Sequence, residues 1–155
     1  MPLLNYTTEI AVTKTIGEIS ALLVAAKAQA ISTEFDGAGN PTSVSFRVAG
    51  KFGPMHFQLP CNYIAASKIL NNQARAGKIA KRYINDMSQA RRVAWRILRQ
   101  WLEAQLALVE LEMVPIEQIF LSYMQTNDGR TVYERLEEKR FGMLMLESPQ
   151  ITKAE

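Results

Sequence analysis

The chain has 155 residues, 48% of them apolar, and a single cysteine, so it is long enough to bury its own core and has no means of forming an internal disulfide. Its formal charge of +3 hides a sorted distribution. Met1–Cys61 holds four cations and four acids, Asn62–Trp101 nine cations and one acid (Asp86), and Leu102–Glu155 five cations and ten acids.

The opening MPLLNYTTEI carries no basic stretch leading into an apolar run, and the apolar stretches are interrupted by charge well before the roughly 18 residues of a membrane span. A soluble protein of the reducing cytoplasm, with no membrane partner, is expected. Tyr6, Thr8, Ile10 and Val12 alternate with Thr7, Glu9 and Ala11, the period of a half-buried strand. Thr15 and Glu18 then read as a capping box for a helix to about Ala28, with Ile16, Ile19, Leu22, Leu23 and Ala26 on one face. Three strand-like runs follow, Ala30–Phe35, Ser43–Val48 and Phe52–Leu59. They are separated by the turn composition of Asp36–Pro41 and by Ala49-Gly50-Lys51.

Beyond Pro60 the pattern is helical. Asn62 suits an N-cap for a helix carrying Ile64, Ile69 and Leu70, and Gly77 suits its end. From Lys78 to Met113 a helical period places Ile79, Tyr83, Ala90, Ala94, Ile97, Trp101, Ala104 and Leu108 on one side, with Ser88 a capping residue if the helix breaks at Asn85-Asp86. Pro115 opens a further helix, Ile116–Met124, and Thr131 and Glu134 form a second capping box. Phe141–Leu146 is too apolar for an idle tail and is expected to dock on the body or on a partner.

The candidate site is the polar side of the long helix. Lys78, Lys81, Arg92, Arg96 and Arg99 project from one side, flanked by Arg82 and Arg91, in an array that can follow a phosphate backbone by charge alone. Trp95, at the edge of the apolar arc beside these arginines, is the one aromatic placed to stack on a base, whereas Trp101 and Tyr83 fall in the middle of the arc and read as core. The alternative is a solvated face neutralised by the acidic C-terminal segment of the same chain or of a second copy. No catalytic group or metal site is expected. His56 stands alone, Cys61 lies at a strand-to-helix junction, Glu134, Glu137 and Glu138 alternate with cations, and the glycines are turn residues.

The order strand, helix, three-stranded meander, helix resembles the double-stranded RNA-binding domain and, with its leading strand, the ribosome-hibernation factors. Gly77-Lys78-Ile79-Ala80-Lys81-Arg82 is similar to the basic start of the second helix of the former, although Pro60–Ala76 intervenes where that family has a short loop. The run from Ala90 through Trp95 to Leu108 resembles small uncharacterised proteins of bacteriophages and mobile elements, which implies an accessory of phage DNA metabolism or a protein that engages a host or defence factor.

The expected fold is α+β in one domain over 1–155, with an α/β half at 1–61, a helical half at 62–140 and an apolar tail at 141–155. The expected function is nucleic-acid binding without a cofactor, single-stranded DNA ahead of RNA. The competing expectation is a protein-interaction module, inhibitor or adaptor, that meets an acidic protein surface. The breadth of the apolar arc on the long helix further implies a homo-oligomer.

Overall fold

The structure, a computed structural model, describes residues 1–146. It is α+β: helix α1 (Val12–Ala25), strands β1 (Ala30–Phe35), β2 (Pro41–Gly50) and β3 (Gly53–Pro60), then α2 (Tyr63–Arg75), α3 (Met87–Glu110), α4 (Ile116–Ile119) and α5 (Val132–Glu138), with 3-10 turns at Lys81–Tyr83 and Leu121–Tyr123. The sheet is an antiparallel meander in the order β1-β2-β3. Val44, Phe46 and Val48 on β2 and Phe57 and Leu59 on β3 alternate onto one face and are buried there. The β2–β3 register runs from Ser43 opposite Pro60 to Gly50 opposite Gly53. Gly50 is obligatory at this turn, because a Cβ there would stand 2.6 Å from the Gly53 carbonyl oxygen.

Two apolar clusters meet at α3. One joins α1 (Ile19, Leu23), the inner sheet face, Trp95, Leu102 and Leu106 of α3, and Phe120. The other joins α2 (Ala66, Leu70, Ala74), Ile79, Tyr83, and Ala90 and Val93 of α3. Helix α3 is therefore packed on several sides, and its N-terminal half has no bare polar face.

Four local expectations are corrected. Tyr6–Val12 is not a strand: residues 4–7 form a turn around Asn5 (φ 60°), and the carbonyls of Tyr6 and Thr8 accept from the Gln89 side-chain amide at 2.7 and 2.9 Å. A strand needs a neighbouring ladder; here a glutamine takes that place. Helix α1 begins three residues before the predicted capping box, so Thr15 lies inside it and is fully buried. Lys27 in the left-handed region (φ 69°) ends it, with the Ala28 amide donating to the Leu23 carbonyl.

The expected helix from Lys78 to Met113 is interrupted. Asn85 adopts φ 57°, and Asp86, not Ser88, caps α3 by accepting from the Gln89 amide at 3.0 Å. The predicted helix Ile116–Met124 is one turn, α4, followed by a 3-10 turn, after which Met124 pairs with Phe57 on the β3 edge. That edge position needs extended backbone, which limits the helix.

Elsewhere the local chemistry matches the pattern. Asn62 caps α2 by accepting from the Ala65 amide at 3.0 Å, and Gly77 (φ 75°) follows its end. Leu70 is buried, while Ile64 and Ile69 remain 55% and 42% exposed. Thr131 caps α5, accepting from the Glu134 amide at 3.2 Å. In the tail, Phe141 packs on Tyr133 with ring centroids 5.7 Å apart, whereas Met143–Leu146 are exposed; residues 147–155 of the predicted tail lie outside the described residues.

Candidate nucleic-acid interface

The eight residues singled out for phosphate contact divide into two groups. Lys78, Lys81 and Arg82 lie exposed on the connection between α2 and α3, which Gly77 and Asn85 bend at either end. Arg91, Arg92, Trp95, Arg96 and Arg99 lie on the first half of α3, all partly or wholly covered.

In the second group the charges are largely occupied. Arg96 pairs with Glu18 of α1 and lies 3.4 Å from the buried Thr15 hydroxyl; Thr15 and Glu18, spaced as a capping box, instead present a shared helical face to this arginine. Arg99 pairs with Glu103 one turn further along α3. Arg92 donates twice to the Gln89 side-chain carbonyl, at 3.0 and 2.6 Å. Arg91 stacks over the Tyr63 ring, its guanidinium carbon 5.0 Å from the centroid. The Tyr63 hydroxyl donates to Asp36 at 2.9 Å, which raises the tyrosine above its ordinary pKa. Asp36 is held below the usual carboxylate value, first by the Asn40 amide and then by Tyr63.

Trp95 is fully buried in the cluster between α1, the sheet and α3, and its indole N–H has no hydrogen-bond partner. It is therefore a core residue, and the expectation that it stacks on a base is withdrawn. Trp101 is the half-buried one: its ring packs edge-on against Phe120 and Tyr123, with centroids 5.7 and 5.6 Å away.

The first group is different. Lys78 and Lys81 make no ion pair among the described residues, and neither do Lys68 and Arg75, which are exposed and stand seven residues apart on the same side of α2. Arg82 also lacks an ion pair; it lies over the Tyr83 ring, centroid distance 5.0 Å, and donates to the Tyr83 hydroxyl at 3.0 Å, a bond that raises its pKa. Lys68 and Arg75 were not among the residues expected from helical phase on 78–113. The signal for them is a gap: Gly37–Asn85 contains no aspartate or glutamate at all.

Among the described residues the acidic C-terminal segment makes no ion pair with Lys68, Arg75, Lys78, Lys81 or Arg82. Among the described residues its only ion pair to the basic block is Glu103 with Arg99; Asp128 and Glu138 pair with Arg130 and Arg135 of their own segment.

No family model, curated protein or solved structure matches the chain.

Among the described residues no three His, Cys, Asp or Glu side chains converge as metal ligands, and no helix is long and apolar enough to cross a membrane. Cys61 is buried, and burial pushes its thiol up to about 12, away from the thiolate a nucleophile needs. Cys61 lines an apolar cleft of about 420 Å³ between α2, α3 and the end of β3, with Leu59, Ile69, Leu98, Trp101 and Tyr123.

Proposed function

We propose that the protein binds nucleic acid by its phosphate backbone, through Lys68, Arg75, Lys78, Lys81 and Arg82. The observation that carries this reading is an acid-free run of 49 residues, Gly37–Asn85, whose helical part exposes these five cations without an ion pair. Exposed like charges in an acid-free run raise the local positive potential, and a polyanion that meets them releases its own condensed counterions. The buried position of Trp95 removes the stacking argument for single strands, so the reading is backbone contact without base readout. Arg92, Arg96 and Arg99 contribute to the field around the patch but are held by Gln89, Glu18 and Glu103. A role as an accessory of phage or mobile-element DNA metabolism in the cytoplasm fits the resemblance of the run from Ala90 to Leu108.

The test is anisotropy of labelled single-stranded and duplex oligonucleotides across a salt series. Affinity is expected to fall with salt at a log–log slope of about −0.7 per phosphate contact on single strands and −0.9 on duplex DNA. Joint replacement Lys78→Ala, Lys81→Ala and Arg82→Ala should lower the magnitude of that slope by roughly two units, while Arg96→Ala with Arg99→Ala should change it by well under one. Absence of binding at low salt would sink the reading. Equal effects of the two variants would move the site onto α3.

A further inference from the structure

We propose that the outer face of the sheet carries a seat for a phosphate group, built from Arg47, His56, Ser45 and Ser32. None of the five patch cations lines it, so the inference is independent of the nucleic-acid reading.

Strand pairing brings these residues together. The alternation that sends Val44, Phe46 and Val48 into the core sends Ser45 and Arg47 to the opposite face of β2, and His56 and Gln58 leave β3 on that same side. Arg47 stands directly opposite His56 on one flank and Ala30 on the other, and Ser45 stands between Gln58 and Ser32. Beyond β3 the Gln125 amide donates to the His56 carbonyl at 2.7 Å, so Gln125 ends the row. Directly opposed residues of an antiparallel pair have Cβ atoms about 4.5–5.5 Å apart, which lets an arginine fork and an imidazole reach one anion. Arg47, His56, Ser45, Ser32 and Gln125 line a single hollow of about 110 Å³. At about 30 Å³ per water molecule, that is room for a group of a few heavy atoms.

Charge and hydrogen bonding both favour an anion there. Arg47 makes no ion pair among the described residues, and the acid-free run Gly37–Asn85 contains the whole of β2 and β3. Glu34, on β1, lies four residues along the strand from Ala30, about 13 Å at the rise of a strand, and accepts from the Gln58 side-chain amide at 3.3 Å. It therefore leaves the arginine unneutralised. The Ser45 hydroxyl is buried without a hydrogen-bond partner. A hydroxyl in that condition is unfavourable, and an oxyanion held by Arg47 and His56 gives it an acceptor.

The donor set selects phosphate over carboxylate. Its donors stand on three strands, and the tetrahedrally disposed oxygens of a phosphate can accept from all of them, whereas a carboxylate offers two oxygens in one plane. Arg47 and His56 also border a second hollow of about 440 Å³, over Ala49, Gly50, Gly53 and Pro54. Its small lining residues leave room for the body of a phosphate ester.

Amide NMR of the full chain, titrated with inorganic phosphate and separately with ribose 5-phosphate, tests the proposal against sodium chloride at matched ionic strength. Saturable shifts centred on Ser45, Arg47 and His56 are expected with phosphate and not with chloride. Tighter binding of the ester assigns the second hollow to the ester body, and equal binding assigns the seat to free phosphate. Arg47→Gln should weaken binding on the order of tenfold or more, as loss of a charged hydrogen bond does, with Arg47→Lys between the two. Ser45→Ala should weaken binding several-fold while the ligand-free melting temperature holds or rises, because the lost hydroxyl had no partner. A lower melting temperature for Ser45→Ala would overturn its place in the seat. Absence of saturable shifts overturns the proposal, as do shifts matched by chloride or undiminished in Arg47→Gln. So does their loss in the joint variant Lys78→Ala, Lys81→Ala and Arg82→Ala, which would assign the phosphate to the basic patch. Loss of oligonucleotide binding with the phosphate shifts intact would count against that patch alone.

Discussion

Trp95 and Trp101 lie six residues apart on α3, about 120° of helical turn. A single apolar arc centred on Trp101 makes that residue core and Trp95 marginal; the structure reverses the two, because α1 and the sheet cover the flank where Trp95 projects. Trp95→Ala should therefore cost about 3–5 kcal/mol, as a large core truncation does. Trp101→Ala, removing a ring that is only half buried against Phe120 and Tyr123, should cost about 1–3 kcal/mol in the monomer. Trp95→Phe should be milder than Trp95→Ala, since the lost indole N–H was already without a partner. Urea unfolding of the three variants checks the order. A larger loss for Trp101→Ala than for Trp95→Ala would contradict the observed packing.

At the scale of elements, α5 and the turn before it form a small charged unit. Asp128 accepts from the Thr126 hydroxyl at 2.6 Å, the Arg130 amide at 3.1 Å and the Arg135 guanidinium at 2.7 Å. These bonds, the Thr126 hydroxyl first, hold its pKa well below the ordinary 3.8. Because the folded state favours the carboxylate, this contribution is present above pH 3.8 and is lost as pH falls through the lower folded value. The unmodified chain should therefore melt above Asp128→Asn near neutrality, and the gap should close in acid below pH 3.8. Thermal melts of both proteins across that range provide the measurement, and a gap that widens in acid would refute the assignment. The capping of α5 was legible in Thr131 and Glu134, and the meander in its alternation, because caps, turns and two-residue periods involve neighbours in sequence. The single turn of α4 was not, since it depends on Met124 reaching the β3 edge.

Across the whole molecule, the N-terminal segment is held against the apolar cluster between α2 and α3, with Leu3 and Tyr6 packed on it. Gln89, only 5% exposed, donates to the Tyr6 and Thr8 carbonyls while its own carbonyl oxygen accepts from Arg92. The Leu3 amide reaches the Gln73 side chain at 3.0 Å, and the Tyr6 ring meets Tyr83 edge-on at 5.7 Å. Gln89→Ala leaves those carbonyls without their donor and should cost about 1–3 kcal/mol. It should also speed proteolysis within residues 1–10, which would then open before the body of the fold. Unchanged cleavage would mean that the segment is held by Leu3 and Tyr6 alone.

The sequence by itself determined the α+β class, the three strands of the meander, the inner faces of β2 and β3, and the Asn62 and Thr131 caps, all of which depend on residues a few places apart, together with the segregation of charge along the chain. Only the tertiary structure decided the rest. Tyr6–Val12 has a strand's alternation but no neighbouring strand, so a glutamine from α3 satisfies its carbonyls. The single basic stripe became a half that is bonded in place and a half that is exposed, because Glu18, Gln89 and Glu103 reach Arg96, Arg92 and Arg99. Lys68 and Arg75 on α2 are exposed without an ion pair among the described residues, and the chain breaks at Asn85, where the sequence pattern had allowed one continuous helix from Lys78. Periodicity reports which sides of a helix are apolar. Which neighbour covers each side, and which charge it brings, is set by contacts between residues distant in the chain.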